Sequence, residues 1–327
     1  MTLPYLLKLL CLCLASFFLI HLTLALVIKL VTPAALRLAA RIRPAVAARF
    51  LLFLRLLPCG FGLLIVTGLC VPSYLRLEPR TATSEEVGLM CLAFSILTAG
   101  LWGGSITRGL GALARSFRFL RHCQRNGHQA DLPEERFSAW VVKEPATLFA
   151  IAGIIHPRLL ISRKVMNALS SEQLAAAVRH ERAHWTSRDN LKRLMLAMAP
   201  RMLPFLHGFG TLERSWARYT ERAADDEAVA GDAARSLSLA TALVSVSRLG
   251  IIPRPSALVA PLLADDDDLT ARVERLLSSP QRAESHQSWM GCLVTGAALV
   301  LSGAVVALGL QPGLLFTVHR FLEHLIQ

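Results

Sequence analysis

Four long runs with almost no charge constrain this chain more than any other feature. Residues 9–28 are uncharged and lie between Lys8 and Lys29. Residues 50–74 carry only Arg55, and residues 87–106 and 290–310 carry no charged side chain at all. About 20 apolar residues in a helix cross a hydrocarbon core roughly 30 Å thick, so each run is long enough to span a membrane. The expected architecture is a mainly α, multi-pass membrane protein with four transmembrane helices. Residues 1–110 form a three-span sector, residues 111–288 a soluble insert, and residues 289–327 a fourth helix with a short tail. Pro58, Gly60 and Gly62 loosen the second span, and Arg55 near its end is expected to snorkel towards the interface.

The charge pattern supports the same picture. Lys and Arg number 35 against 23 Asp and Glu, a net charge of +12, yet charged residues make up only 18% of the chain. Much of the positive charge flanks the spans. Arg37, Arg41, Arg43 and Arg49 follow the first span, and Arg108, Arg115, Arg118, Arg121 and Arg125 follow the third, all before Asp131. The loop between spans two and three is weighted instead by Glu78, Glu85 and Glu86. The positive-inside rule then places the insert in the cytoplasm and both termini outside. The basic charge therefore reports orientation, and no direct nucleic-acid partner is expected. The seven cysteines lie mostly in apolar runs with no CxxC pair, as small buried hydrophobes do.

The insert has mixed texture. Basic residues around Phe117–Gln124 suggest a helix along the membrane surface. Trp140–Val142, Leu148–Ala152 and Leu159–Ile161 read as short strands, with Gly153 and Pro157 as punctuation. Ser170-Ser171-Glu172-Gln173 is a helix start with a capping box. Leu191–Phe205 is amphipathic and broken by Pro200 and Pro204; it either leans on the spans or bilayer or belongs to a soluble core. Glu213–Gly231 reads as a helix closed by glycine. The acids Asp265–Asp268 suit a helix N-terminus before Leu269, Val273 and Leu276.

One constellation carries chemistry. His180-Glu181-Arg182-Ala183-His184 is an H-E-x-x-H sequence, which on a helix puts both imidazoles on one face where they can share a Zn2+ ion. Glu181 lies beside that ion as a candidate catalytic base. A catalytic zinc needs a third protein ligand and an open position. Glu221, on the next capped helix, is the first acid that fits, and Asp225 four residues later can hydrogen-bond a ligating histidine. Glu213, Asp226 and Glu227 are rivals for the third ligand. Asp189 either props a ligand or simply ends the helix. Arg218, His207 and Tyr219 are alternative oxyanion stabilisers.

The runs Ile155–Ser162, Leu169–Leu174, His180–His184 with Arg188-Asp189, Glu221–Val229 and Asp268–Leu277 together resemble the BlaR/MecR family. Its members are integral-membrane zinc metallopeptidases of the gluzincin type. The resemblance covers about half the chain. It implies an α+β zincin-like metallopeptidase domain with one catalytic Zn2+ on His180, His184 and Glu221, Glu181 as base, and Asp225 supporting a ligand. It also implies a bacterial inner-membrane location and a protein or peptide substrate such as a cytoplasmic repressor. Ala224 stands where the family often has Cys. Only about 17 residues follow Leu310, so the penicillin-binding sensor of antirepressor members is not expected. Two alternatives stand beside this reading: a quality-control peptidase similar to the HtpX and CAAX prenyl protease family, and a catalytically silent signalling scaffold with a structural zinc.

Overall fold

A computed structural model describes residues 4–78, 87–132, 137–143, 148–154, 157–201, 208–250, 260–261, 266–278 and 311–326, with scattered residues between 296 and 308. Three helical rods dominate it. Helix α1 is Tyr5–Ala39. Helix α2, Pro44–Ile65, passes through a π-helical turn, Val66–Cys70, into α3, Val71–Leu77. Pro72 has no N–H to return to the preceding turn, which accounts for the wider winding just before it. Helix α4 is Leu89–Asn126. All three rods are long and apolar enough to cross a membrane. The fourth expected span, residues 290–310, lies largely outside the described residues. Those described within it are helical, and Val305 packs at Gly68 within the π turn, where a Cβ would crowd it.

Each rod outruns its apolar stretch. At 1.5 Å per residue α1 extends over about 50 Å and α4 over about 57 Å, well past a hydrocarbon core. The basic stretch around Phe117–Gln124 is therefore not a separate surface helix, as expected, but the last turns of α4. Nothing between Ile106 and Asn126 breaks a helix. α4 continues until Gly127, where a Cβ would meet the carbonyls of Cys123 and Val141 at 2.8 Å. The chain there turns directly into a strand.

The sheet has five strands: β1 Gly127–Leu132, β2 Phe137–Val142, β3 Phe149–Ala152, β4 Arg158–Ser162 and β5 Ala260–Pro261. Their order is β1-β2-β4-β3-β5, antiparallel except for the β2–β4 pair. β2, β3 and β4 follow the apolar runs; β1 and β5 are polar or too short to show in the sequence. Strand period two splits β3 between two cores. Phe149 and Ile151 join Leu159, Ile161 and helix residues Ala176, Ala177, Leu239 and Leu243. Ala150 and Ala152 face the other way, with Val142, Leu160, Cys123 and, from the end of α4, Phe119 and Leu120.

Six helices complete this part: α5 Arg163–Ala168, α6 Ser171–Thr186, α7 Asp189–Met198, α8 Gly208–Val229, α9 Ala233–Arg248 and α10 Asp266–Leu277. α7 stops at Met198, ahead of Pro200, and leans on the spans. Met198 sits over Gly109 of α4 so closely that any side chain there would run into it. α8 packs along α2, where Leu212 and Trp216 join Ala47, Ala48 and Leu51. Arg55 does not snorkel. It is 1% exposed and its Nε donates to Glu213 Oε1 of α8 at 2.8 Å. Helix α11, Pro312–Ile326, replaces the expected short tail and seats Leu315 and Leu322 among the rod ends. The described cysteines are free thiols.

Candidate metal centre

The centre begins at a helix cap. Ser170 Oγ accepts from Gln173 N at 3.2 Å while Gln173 Oε1 accepts from Ser170 N at 3.0 Å, starting α6 at a defined residue. From there the helical period turns His180 and His184 towards α8. His180 and Glu181 are fully buried and His184 is 3% exposed. The two Nε2 atoms are 3.1 Å apart. Glu221 Oε2, from α8, is 3.5 Å from the first and 3.6 Å from the second.

These spacings suit a metal. Zinc bonds of about 2.0–2.1 Å in a tetrahedron separate neighbouring ligand atoms by about 3.3–3.4 Å. Both carboxylate oxygens of Glu221 are buried without a hydrogen-bond partner among the described residues. Arginine side chains approach them only at 3.3 and 3.7 Å, so a buried carboxylate without a hydrogen bond still gains from a metal ion between the ligands. Two imidazole nitrogens and one carboxylate oxygen are also the donor set that zinc prefers. On donor chemistry, spacing and orphaned oxygens, the residues fit the ion.

Each histidine is held from behind. His184 Nδ1 donates to Asp189 Oδ2 at 2.8 Å, and Lys192 Nζ donates to Asp189 Oδ1 at 2.8 Å. Asp189 can reach back because Arg188 takes a left-handed conformation, φ 53 and ψ 42, which turns the chain sharply between α6 and α7. His180 Nδ1 lies 2.9 Å from Asp225 Oδ1, off the line of a good hydrogen bond. Such partners fix the tautomer and ring angle of a ligating histidine.

Arg272 of α10 was not foreseen. Its Nε and Nη2 donate to the two oxygens of Asp225 at 2.9 and 2.7 Å, and its Nη1 is 3.3 Å from Glu221 Oε2. Burial alone would raise the Asp225 carboxyl, but Arg272 and His180 outweigh it and hold the group well below the usual carboxylate range. Arg193 of α7 was also unforeseen; its Nη2 is 3.7 Å from Glu221 Oε1. Neither could be picked from sequence, since many arginines lie near the motifs and only packing selects these two.

Glu181 points to the sheet side of the triad. Its Oε2 accepts from Ile151 N of β3 at 3.0 Å, and its Oε1 is buried without a hydrogen-bond partner. Burial pushes its pKa up to about 7, against the pull of His184 and His180. That value suits a group that takes a proton near neutrality. Asn190 Nδ2 donates to the carbonyls of Ile151 and Gly153 at 3.1 and 3.0 Å and ties the end of β3 to α7. Beside His184 opens a cleft of about 410 Å³, lined by Ile151, Ile154, Trp185, Arg188 and Leu191 among others.

The remaining sequence candidates fall elsewhere. Glu213 pairs with Arg55 and Arg201, Asp226 with Arg275, and Glu227 accepts from Thr186 Oγ1 at 3.3 Å. Arg218 stands exposed, and Tyr219 packs on the apolar cluster between the rods and α8, with the Arg222 guanidinium over its ring. His207 lies outside the described residues. The outer edge of β3 is not open along its length: Ala150 and Ile151 pair with Pro261 and Ala260 of β5.

Residues 118–252 match the model of peptidase family M48. The match indicates a metallopeptidase. It runs from the last turns of α4 past the end of α9, so it takes in β1–β4, the paired histidines and Glu221. The rest of the rods and α10, with Arg272, lie outside it. No curated protein and no solved structure matches the chain. With three apolar rods attached to the matched segment, the similarity is to a membrane-type zincin; it does not single out the BlaR/MecR family.

Proposed function

We propose that this chain is a membrane-embedded zinc endopeptidase with its site on the cytoplasmic side and its termini outside. It would cut a cytoplasmic or membrane-associated protein. The observation that carries this reading is the buried triad of His180, His184 and Glu221 with Glu181 beside it, in a segment that matches a peptidase family. His180, His184 and Glu221 would hold one zinc ion, which when bound lowers the pKa of water and polarises a carbonyl.

The chain's own groups do the rest. Glu181, held by Ile151 N, takes a proton from water and later passes it to the leaving amine. Asp189 and Asp225 keep the imidazoles aimed inward. Arg193, partly exposed and turned towards Glu221, is the cation placed to meet negative charge developing on the substrate carbonyl. The cleft's Ile151, Ile154, Trp185 and Leu191 favour an apolar substrate side chain. An extended substrate pairing with β3 would have to displace β5 or pair beyond it.

The resemblance to BlaR/MecR supports a transcriptional repressor as substrate, with signalling as the physiological role. Quality control of membrane proteins is the alternative. Two measurements separate enzyme from scaffold: zinc content, and proteolysis of a casein-type substrate by wild type and the Glu181→Gln variant. The variant should keep its zinc and lose hydrolysis by about 10²–10⁴-fold. Equal activity in both forms would remove Glu181 from the mechanism. Comparing the proteins that accumulate uncut in cells carrying each form would name the substrate.

A further inference from the structure

A second cluster of metal-ligating side chains lies far from the peptidase site. Glu78 caps the C-terminal end of α3, and His319 and Glu323 are one turn apart on α11. One ligand atom from each falls within 4.8 Å of the others. His319 Nε2 is 3.5 Å from Glu78 Oε2 and 3.3 Å from Glu323 Oε1. The site is built from packed elements. Leu315, His319 and Leu322 share the buried face of α11, and Ser73 Oγ donates to the Leu315 carbonyl at 2.7 Å.

The distances discriminate between two uses of these groups. A charge-assisted hydrogen bond from imidazole to carboxylate runs at about 2.7–2.9 Å. Both contacts here are longer. They fall instead near the edge of about 3.3–3.4 Å expected between ligands of a tetrahedral zinc, and they repeat the 3.1–3.6 Å spacings of the peptidase triad. His319 is 8% exposed, and its Nδ1 has no hydrogen-bond partner among the described residues. Its polar contacts therefore lie at Nε2, aimed between the two carboxylates.

Charge points the same way. Lys8 Nζ holds Glu78 Oε1 at 2.9 Å, which leaves Oε2 turned to His319. Two carboxylates face one ammonium at a partly buried site, an excess of negative charge that a cation would offset. We infer that Glu78, His319 and Glu323 form a second metal site, for a borderline divalent cation such as Zn2+, that clamps α11 to the end of the α2–α3 rod. This site lies at the opposite end of that rod from the peptidase. From Arg55, which pairs with α8, to Glu78 the helix rises about 34 Å, comparable to a hydrocarbon core. The inference does not depend on the proposed catalysis.

The test counts ions in the full-length protein. Purified chain in detergent is equilibrated against a buffered micromolar Zn2+ solution and its zinc per chain measured by elemental mass spectrometry. Wild type should hold one ion more than His319→Ala. Glu323→Gln, a near-isosteric change at a half-exposed position, should lose the same ion while its thermal unfolding confirms an intact fold. Glu181→Gln should keep both ions. If the peptidase triad held no zinc, the one-ion difference at His319 would persist, so failure of that reading is distinguishable. Equal zinc in wild type and His319→Ala, or retention of the ion in Glu323→Gln, would overturn the proposed ligand set.

Discussion

At the scale of single residues, the centre depends on charges that exist only in relation to one another. Arg272 neutralises Asp225 and leans on Glu221 inside a fully buried site. Removing one partner of a buried ion pair leaves the other uncompensated, at a cost of about 3–5 kcal/mol. Arg272→Met should therefore lower the unfolding midpoint sharply in a denaturant titration. The histidines make a second prediction. Burial would lower the His184 pKa, but Glu221 and Asp189 outweigh it and raise it to about 10 in the metal-free chain. That raised pKa contributes stability below about pH 6.5, which is lost as pH rises through about 10. Zinc takes neutral imidazole, so binding at pH 7 must expel at least one proton, and affinity should climb with pH up to about 10. Calorimetry in buffers of different ionisation enthalpy would measure that release. A binding heat independent of buffer would remove the protonated His184.

At the scale of elements, the sequence spoke clearly where a local rule operates. The capping box at Ser170 and Gln173 set the start of α6, and hence which face carries His180 and His184. The apolar runs marked β2, β3 and β4 because strands buried on both faces need them. β1 escaped notice since His128, Gln129 and Asp131 carry no strand pattern; it is a strand because β2 offers it a ladder. α4 was undercounted for a similar reason. Hydropathy ends near Ile106, but backbone hydrogen bonding does not, and Met198 packing over Gly109 needs the helix to continue. Gly109→Leu should force α4 and α7 apart, costing about 1–3 kcal/mol by overpacking. It should also reduce hydrolysis, because α7 carries Asp189. Thermal unfolding and a peptidase assay on the same preparation would check both effects.

At the scale of the whole molecule, α8 is the joint: one stretch packs on α2 and the next holds Glu221 and Asp225. Arg55 and Glu213 connect the two 158 positions apart in the chain. A double-mutant cycle on Arg55→Met and Glu213→Gln should give a coupling of about 0.5–3 kcal/mol in unfolding free energy. Additive effects would show that Arg201 alone satisfies Glu213. By itself the sequence determined that the chain is rich in membrane-length helices, that a zincin-type motif lies in its long insert, and that His180 and His184 share one helix face with Glu181 beside them. Those features rest on short-range periodicity, which a helix of 3.6 residues per turn converts directly into geometry. Only the tertiary structure decided that Arg272 and Arg193 reach the ligands, that Arg55 pairs inward, that β5 covers part of the β3 edge, and that His319 meets Glu78. Each of these joins groups distant in sequence, and their meeting depends on how whole helices pack, which no local pattern of residues encodes.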